Sequence, residues 1–428
     1  MVYDARYTVS LLFGAALLLI GLLGRAPGIL LLSIPLFVYA ASLLLSYAML
    51  RRPALDARRT PGARQVVEGD TVHVDLTVTN GGASVPYLIV LDDLPSGATL
   101  LDGDASYGGP LARGGSISIK YTLRPPRGLH EQRGVRAFVW PVYGLAMDEY
   151  RFDCLTHVSA IPQVDPLPFI VIRPRRRHAF VGPVRANTPG PGIEFYGCRS
   201  FVDGDDVRRV NWRAFARHDQ IFINEYEQER MTDVIVVLDV RAASHLHAGG
   251  NSTFEPCCRA AASLAAHFIR QGNRVGLLLY GKSVDWIQPA SGRFHLGRMI
   301  GAITRAQPAR SMAFENLAQL PLEMLPTGSQ IVVVSCLAQE GDPVVLAKLH
   351  ARGYSVLAVY ADTLELERGH QPQDQAVALA ARAKILQSVV ATRLMEGLGV
   401  HVVPWDVRRP LAEAIHASRL DRAARRLT

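Results

Sequence analysis

The sequence predicts a multi-domain chain: an N-terminal transmembrane helical hairpin, an antiparallel β-sandwich-like domain, then a doubly wound α/β domain. Three observations predict it. Two uncharged apolar runs stand at the N-terminus. Period-two alternation dominates the region after them. From Asp233 onward, short β-branched apolar runs alternate with segments of helical spacing. The 428 residues leave room for two or three domains of ~100–200 residues. Lysine and arginine number 46 against 38 aspartates and glutamates, a net charge of +8. That excess is modest, and no basic run is interleaved with aromatics, so no nucleic-acid partner is expected.

The hairpin is read over residues 1–52, with helices at about 8–24 and 28–50. The first uncharged run, Thr8–Gly24, would reach about 25 Å and the second, Gly28–Leu50, about 35 Å, against a hydrocarbon core of ~30 Å. Pro35 is expected to kink the second helix. A cleaved signal peptide is disfavoured: a longer apolar run follows, and no small-residue cleavage pattern intervenes. Arg51, Arg52, Arg58 and Arg59 follow the second run, whereas the turn holds only Arg25. The positive-inside rule then makes this a multi-pass protein of the cell (inner or plasma) membrane. Its partner is the lipid bilayer, and both termini and the folded domains are cytoplasmic. Five cysteines, Cys154, Cys198, Cys257, Cys258 and Cys336, form an odd set without framework spacing, which argues against structural disulfides.

Residues 60–160 read as the β domain. Val72, Val74, Leu76 and Val78 alternate with polar neighbours, as do Ile117, Ile119, Tyr121 and Leu123. Such alternation marks strands with one buried face, and Asn80-Gly81-Gly82, Gly103 and Gly114-Gly115 mark turns.

Residues 161–230 read as a linker, with a basic cluster at Arg173–Arg177, followed by a charged aromatic segment. There Asp203, Asp205 and Asp206 precede Arg208, Arg209, Arg213 and Arg217, with Trp212 and Phe215 among them at a spacing of three. A solvated amphipathic helix would explain the charges. A tryptophan is costly to expose, however, and arginine with aromatics is the composition of binding hot spots. Glu194, Arg199, Asp205, Arg208, Trp212, Arg217 and Glu227 are therefore the candidate partner-binding or interdomain residues.

Residues 231–428 form the α/β domain. DVIVVLDV, RVGLLLYG, QIVVVSC and YSVLAVYA read as strands buried on both faces of a parallel sheet, and Gly272 and Gly353 stand where helix C-caps belong. The end of the first strand is where such folds bind ligands. It reads Asp239-Val240-Arg241-Ala242-Ala243-Ser244. A divalent-cation site of the Asp-x-Ser-x-Ser kind needs hydroxyls where Arg241 and Ala243 stand, and a hard cation needs several oxygen ligands. The site is degenerate, no metal is expected, and Asp239 is read as structural, paired with Arg241 or a helix N-terminus. Ser335-Cys336 stands where a further carboxylate would help a metal. His245, His247, Cys257 and Cys258 match no closed tetrahedral zinc spacing and read as an exposed polar loop followed by a core helix. There is no nucleophile elbow, Walker loop or dinucleotide loop. The chain is expected to be non-enzymatic and without a cofactor.

Several of these residues carry a family resemblance. Glu194-Phe195, Arg199, Phe201, Gly204-Asp205-Asp206, Arg208, Asn211-Trp212, Ala216-Arg217 and Glu225-Tyr226-Glu227 resemble the signature of the domain of unknown function fifty-eight family (DUF58). Arg127-Gly128-x-His130 and Pro141-x-Tyr143-Gly144-Leu145 upstream are similar to its β-domain pattern. Leu398-Gly399-Val400 with Val403-Pro404-Trp405 downstream is similar to its closing strand. The resemblance implies two N-terminal membrane helices, a β domain and a divergent von Willebrand factor A-like domain. It also implies a partnership with a MoxR-class AAA ATPase in assembling or maturing protein complexes. It supplies no catalytic residues. The expected function is a membrane-anchored scaffold or adaptor that binds proteins in the cytoplasm. The alternative is a metal-dependent, adhesion-type protein-binding domain using the top of the α/β sheet around Asp239.

Overall fold

A computed structural model of the chain describes residues 2–3, 5–48, 53–140, 146–171, 184–230, 232–245, 247–248, 251–281, 283–310, 321–339, 341–363 and 375–418. Arg51, Arg52, the Pro141–Leu145 motif and the Arg173–Arg177 cluster lie outside the described residues. The chain forms two units, Met1–Ile161 and Pro162–Thr428.

The first unit opens with a short strand β1 (Val2–Tyr3) and two helices, α1 (Ala5–Leu23) and α2 (Pro27–Ala48), packed on each other as a hairpin. Among the described residues no helix is long and apolar enough to cross a membrane. This overturns the expected transmembrane hairpin and, with it, the multi-pass localisation. α1 has 19 residues, about 28 Å of helix, and Arg6 occupies its first turn, so its apolar part is shorter than a ~30 Å hydrocarbon core. α2 has 22 residues, and Pro35 lies inside it. The hairpin displays much apolar surface, including Leu12, Leu19, Leu22, Leu31 and Leu32. The molecule is mixed α/β with several sheets.

The strands of the first unit continue with β2 (Leu55–Pro61), β3 (Gln65–Val67), β4 (Val72–Asn80), β5 (Val85–Asp92) and β6 (Thr99–Gly103). They end with β7 (Ser106–Leu111), β8 (Ser116–Arg124), β9 (Gly128–Trp140) and β10 (Ala146–Ile161). One sheet runs β1-β10-β9-β5-β7, with β3 beside β10, and a second runs β2-β4-β8-β6. Both contribute to a single apolar core: Val72, Val74, Leu76 and Val78 of β4 cluster with Ile119 and Leu123 of β8, Leu88 and Val90 of β5, and Val135 and Val139 of β9. The alternation is that of strands with one face inward.

One arginine read from the sequence as a membrane-flanking charge has a different place. Arg58 is exposed and Arg59, one residue on, points into the core, because successive strand residues face opposite ways. The Arg59 guanidinium is ion-paired with Asp92, both side chains fully buried. It also donates to the carbonyls of Gln132, Cys154 and Gly134 at 3.0, 2.7 and 3.0 Å. Tyr121 donates its hydroxyl to the same Asp92 at 2.7 Å, and burial together with that carboxylate raises the phenol pKa.

The second unit begins with a two-stranded ribbon, β11 (Val184–Ser200) and β12 (Phe222–Arg230), with α3 (Trp212–His218) between them. The ribbon's register slips near Pro189 and Gly190, where the chain lacks an amide donor and a side chain. The α/β part then follows. β13 (Asp233–Asp239), the short pair β14 (His247–Ala248) and β15 (Asn251–Ser252), α4 (Phe254–Arg270), β16 (Arg274–Tyr280), β17 (Val284–Ala290) and α5 (Arg293–Arg305) come first. β18 (Gln330–Ser335), α6 (Asp342–Ala351), β19 (Ser355–Asp362), α7 (Gln375–Gly397), β20 (His401–Asp406) and α8 (Leu411–Ala417) complete it. The sheet order is β17-β16-β13-β18-β19-β20, parallel except for β17. Val234, Val236 and Leu238 of β13 pack on α4, α5 and α8, whereas Ile235 and Val237 pack on the face carrying α6 and α7. A strand covered on both sides needs apolar residues at every position. After β13 the chain continues to β16 on one side and later returns to β18 on the other. The C-terminal ends of β13 and β18 therefore flank the switch point where such sheets gather ligand groups.

α4 carries a titratable group with a consequence for stability. His267 is 7% exposed, and its Nε2 has no hydrogen-bond partner among the described residues. Burial, with help from Arg270, lowers its pKa to about 4, against an ordinary ~6.5 in the unfolded chain. The unfolded chain therefore takes up this proton first as pH falls, so stability decreases from about pH 6.5 down to about pH 4 and this contribution is flat outside that window. Urea unfolding midpoints measured across the window are expected to fall with pH in the wild type. Removing the titrating ring in His267→Gln is expected to flatten that part of the profile.

Candidate functional site

The end of β13 leads into a buried ion cluster. Asp239 is fully buried. The Arg241 Nε donates to its Oδ1 at 2.9 Å and Nη2 to its Oδ2 at 2.7 Å, while the Arg241 backbone amide adds a bond of 3.0 Å to Oδ1. The same guanidinium reaches Asp342 at the first turn of α6, with Nη1 to Oδ1 at 3.2 Å and Nη2 to Oδ2 at 2.8 Å. Ser335, at the end of β18, donates its hydroxyl to Asp239 Oδ2 at 2.6 Å. A guanidinium thus stands between two carboxylates and a serine hydroxyl at the switch point. Its planar fork suits such double pairing. Next to it, Gly281 leaves room for Val240: a Cβ at this glycine would lie 2.5 Å from Val240 Cγ2 and 2.8 Å from its backbone carbon.

The charges in this cluster stabilise one another. Burial pushes the Asp239 carboxyl up, but the bonds and charge of Arg241 and the Ser335 hydroxyl outweigh it and hold the group below its ordinary range. Burial likewise opposes the charge on Arg241, and the two aspartates raise its pKa in spite of it. Of the three positions read as a degenerate metal site, Asp239 and Arg241 are joined directly. Ala243 lies in the short turn after them and lines a neighbouring cavity. Asp342 escaped the sequence reading because it is 101 positions from Arg241 and no local motif links the two.

Beside this cluster lies a cavity of about 640 Å³, lined among others by His245, Cys336, Tyr360, Thr363, Lys384 and Met395. Its size is that of a small-molecule pocket. His245 is only 7% exposed, so the expectation of an exposed polar loop does not hold at this residue. Its Nε2 bonds the Asp239 carbonyl oxygen at 2.7 Å, and its ring packs edge-on against Phe254. Its Nδ1 lies 3.8 Å from Cys336 Sγ and 3.4 Å from Thr253 Oγ1. Burial disfavours the imidazolium, but contact with Cys336 and the nearness of Asp239 raise its pKa on balance. The two thiols beside it shift in opposite directions: their contact raises Cys257 and lowers Cys336. The sequence offered Cys257 and Cys258 as neighbours of the two histidines. The structure brings Cys257 and Cys336 to His245 instead, and Cys336 comes from the end of a different strand.

The charged aromatic segment is built on the ribbon. Arg199 donates from Nη1 and Nη2 to the two carboxylate oxygens of Asp205 at 2.7 and 2.6 Å, and from Nε to Glu225 at 2.9 Å. This pairing lowers Asp205 to about 2, with the Val202 amide as a second donor. Gly204 turns the chain back towards Arg199 at φ +103, a conformation that favours glycine. Asn211 caps α3 by accepting the Ala214 amide at 3.0 Å. Trp212 is 66% exposed and stacks edge-on with Phe215, while Arg208 and Arg217 are also exposed. Glu194 and Glu227 lie in β11 and β12, their side chains outside the described set. Of the seven candidates, Arg199 and Asp205 meet directly. Their further partner is Glu225, two residues before the glutamate that the sequence reading chose.

Both the Arg199 clamp and the Asp239 cluster fall within one stretch of similarity. Residues 197–368 match the family described as Protein of unknown function DUF58. The DUF58 match is confirmed. Over a longer span, the chain is 22% identical across 370 residues to the uncharacterized protein YeaD of Bacillus subtilis (strain 168), covering 84% of this chain and 87% of that one. It is 29% identical over 138 residues to the uncharacterized protein Rv1480 of Mycobacterium tuberculosis (strain ATCC 25618 / H37Rv), covering 30% of this chain and 41% of that one. Among solved structures, the CARDB domain of the PF1109 protein from Pyrococcus furiosus is similar at 13% identity, covering 26% of this chain and 89% of that one. Its TM-score is 0.17, too low to bear on how this chain folds.

Proposed function

We propose that this DUF58 chain is a non-enzymatic scaffold that binds protein partners, working with a MoxR-class AAA ATPase in the assembly or maturation of protein complexes. The observation that carries the reading is Trp212. A large aromatic residue stands 66% exposed on a segment that Arg199, Asp205, Glu225 and the Asn211 cap hold in place. Such rigid, exposed aromatic and arginine groups concentrate binding energy, because little ordering remains to be done on association. The α/β part is read as a divergent von Willebrand factor A-like domain in which Arg241 takes the place of the cation. The metal-dependent alternative around Asp239 is the weaker reading, since both buried carboxylates are already paired with Arg241.

The test is a titration of the chain with the purified MoxR-class ATPase of the same organism. Trp212→Ala is expected to weaken capture by about 30-fold, the ~2 kcal/mol of a hot-spot aromatic, and Arg208→Glu to weaken it as well. Unchanged unfolding midpoints in both variants would exclude a folding defect. Equal affinity in wild type and variants, or no binding in any of them, would sink the proposal.

A further inference from the structure

We infer that His245, Cys257 and Cys336 form a binding site for a soft transition-metal ion of the zinc class. It is separate from the ion cluster at Arg241 and does not depend on the docking role of Trp212. The three side chains come from three elements that converge at the C-terminal end of the parallel sheet. His245 follows the turn after β13, Cys257 lies in the first turn of α4, and Cys336 directly follows β18. Their ligating atoms all lie within 4.8 Å of one another. Two sulfurs and one imidazole nitrogen are a soft donor set, which selects zinc or copper(I) over magnesium or calcium.

Two details point to a ligand as well as to packing. The Nε2 of His245 bonds the Asp239 carbonyl oxygen at 2.7 Å, so this nitrogen carries the proton and Nδ1 presents its lone pair to the sulfurs. A backbone carbonyl that fixes the tautomer in this way is the usual support of a metal-ligating histidine. The second detail is distance. Metal–sulfur bonds of ~2.3 Å and a metal–nitrogen bond of ~2.05 Å, at a tetrahedral angle of ~109°, separate sulfur and nitrogen by about 3.6 Å, within a few tenths of an ångström of the spacing found here. Nδ1 and Cys336 Sγ are 3.8 Å apart. Cys257 is fully buried, whereas His245 and Cys336 line the cavity, so the cavity gives an ion its way in. Three protein ligands leave a fourth position for water or a small anion.

Binding would break two S–H bonds and form two metal–sulfur bonds, releasing two protons to the buffer. With a divalent ion the two thiolates cancel the metal charge, so the buried unit ends up neutral.

The full chain, reduced and freed of metal with a chelator, is titrated with cobalt(II) as a spectroscopic probe and then with zinc(II). One cobalt per chain is expected, with a sulfur-to-cobalt charge-transfer band that zinc abolishes. X-ray absorption at the zinc edge is expected to show two sulfur ligands at ~2.3 Å and nitrogen at ~2.0–2.1 Å. Cys336→Ser is expected to weaken zinc binding by at least ~100-fold, because a hydroxyl replaces a soft thiolate. Cys258→Ser, which changes a buried thiol outside the cluster, is expected to leave it unchanged. If the Cys336 variant does not fold, the wild-type spectra still decide. Absence of the charge-transfer band at saturating cobalt, a zinc shell of oxygen and nitrogen only, or undiminished affinity in folded Cys336→Ser would overturn the site.

Discussion

Arg241→Met is expected to destabilise the chain by about 3–5 kcal/mol, the cost of leaving buried charges without their partner. The guanidinium holds Asp239 and Asp342, whose side chains are both fully buried. Methionine keeps much of the volume and removes the positive charge, so two carboxylates would face each other in a dry site. The measurement is guanidinium chloride unfolding of the full chain, with wild type and variant compared at the same ionic strength. A companion variant makes the reading specific to charge. Arg241→Ser combined with Ala243→Ser restores the Asp-x-Ser-x-Ser pattern beside Ser335 and Asp342, giving a hard cation the oxygen ligands it needs. Magnesium is expected to recover part of the lost stability in this double variant and none in Arg241→Met. A loss under 1 kcal/mol in Arg241→Met would mean that the carboxylates find other compensation.

A comparable loss, again about 3–5 kcal/mol, is expected for Arg59→Met in the β core. Among the described residues, Asp92 would be left buried with the Tyr121 hydroxyl as its side-chain donor. The carbonyls of Gln132, Cys154 and Gly134 would lose the donor they share, Gly134 keeping the Asp93 amide and Cys154 the Thr156 hydroxyl, and the lost charge-assisted bonds add to the cost. Replacing both charges, Arg59→Met with Asp92→Leu, is expected to cost less than Arg59→Met alone, because no orphan charge remains. A double-mutant cycle on unfolding free energies reads the coupling directly. Additive losses would show that the pair is not what holds these strands in register.

Local periodicity made much of the chain readable. The valines alternating along 72–80 correspond to a strand whose inward positions are buried. The continuous apolar runs at 233–239 and 330–335 correspond to strands covered on both faces. The N-terminal runs were misleading, because uncharged length alone does not state where a helix begins, and Arg6, outside the first run, falls inside the first helix. Arg59 was misread for the same reason: in a list of flanking arginines it looks like Arg58, and only strand alternation separates them. The clusters were hidden by distance along the chain. Asp342 joins Arg241 across 101 positions and Cys336 joins His245 across 91. The sheet order that brings them together is a property of topology, which local spacing does not encode. The Arg199 clamp was partly visible, since Asp205 lies 6 positions away, but its second carboxylate lies 26 positions away on the facing strand.

The arginine between Asp239 and Asp342 also bears on how this domain responds to its surroundings. A cation held by carboxylates is a ligand that obeys mass action: it leaves on dilution, competes with other ions, and ties the stability of its host to its free concentration. A guanidinium on the same polypeptide is present at a fixed effective concentration that no chelator lowers. Any control of binding at this end of the sheet must therefore come from what arrives at the surface or enters the cavity, since the supply of counter-charge is constant.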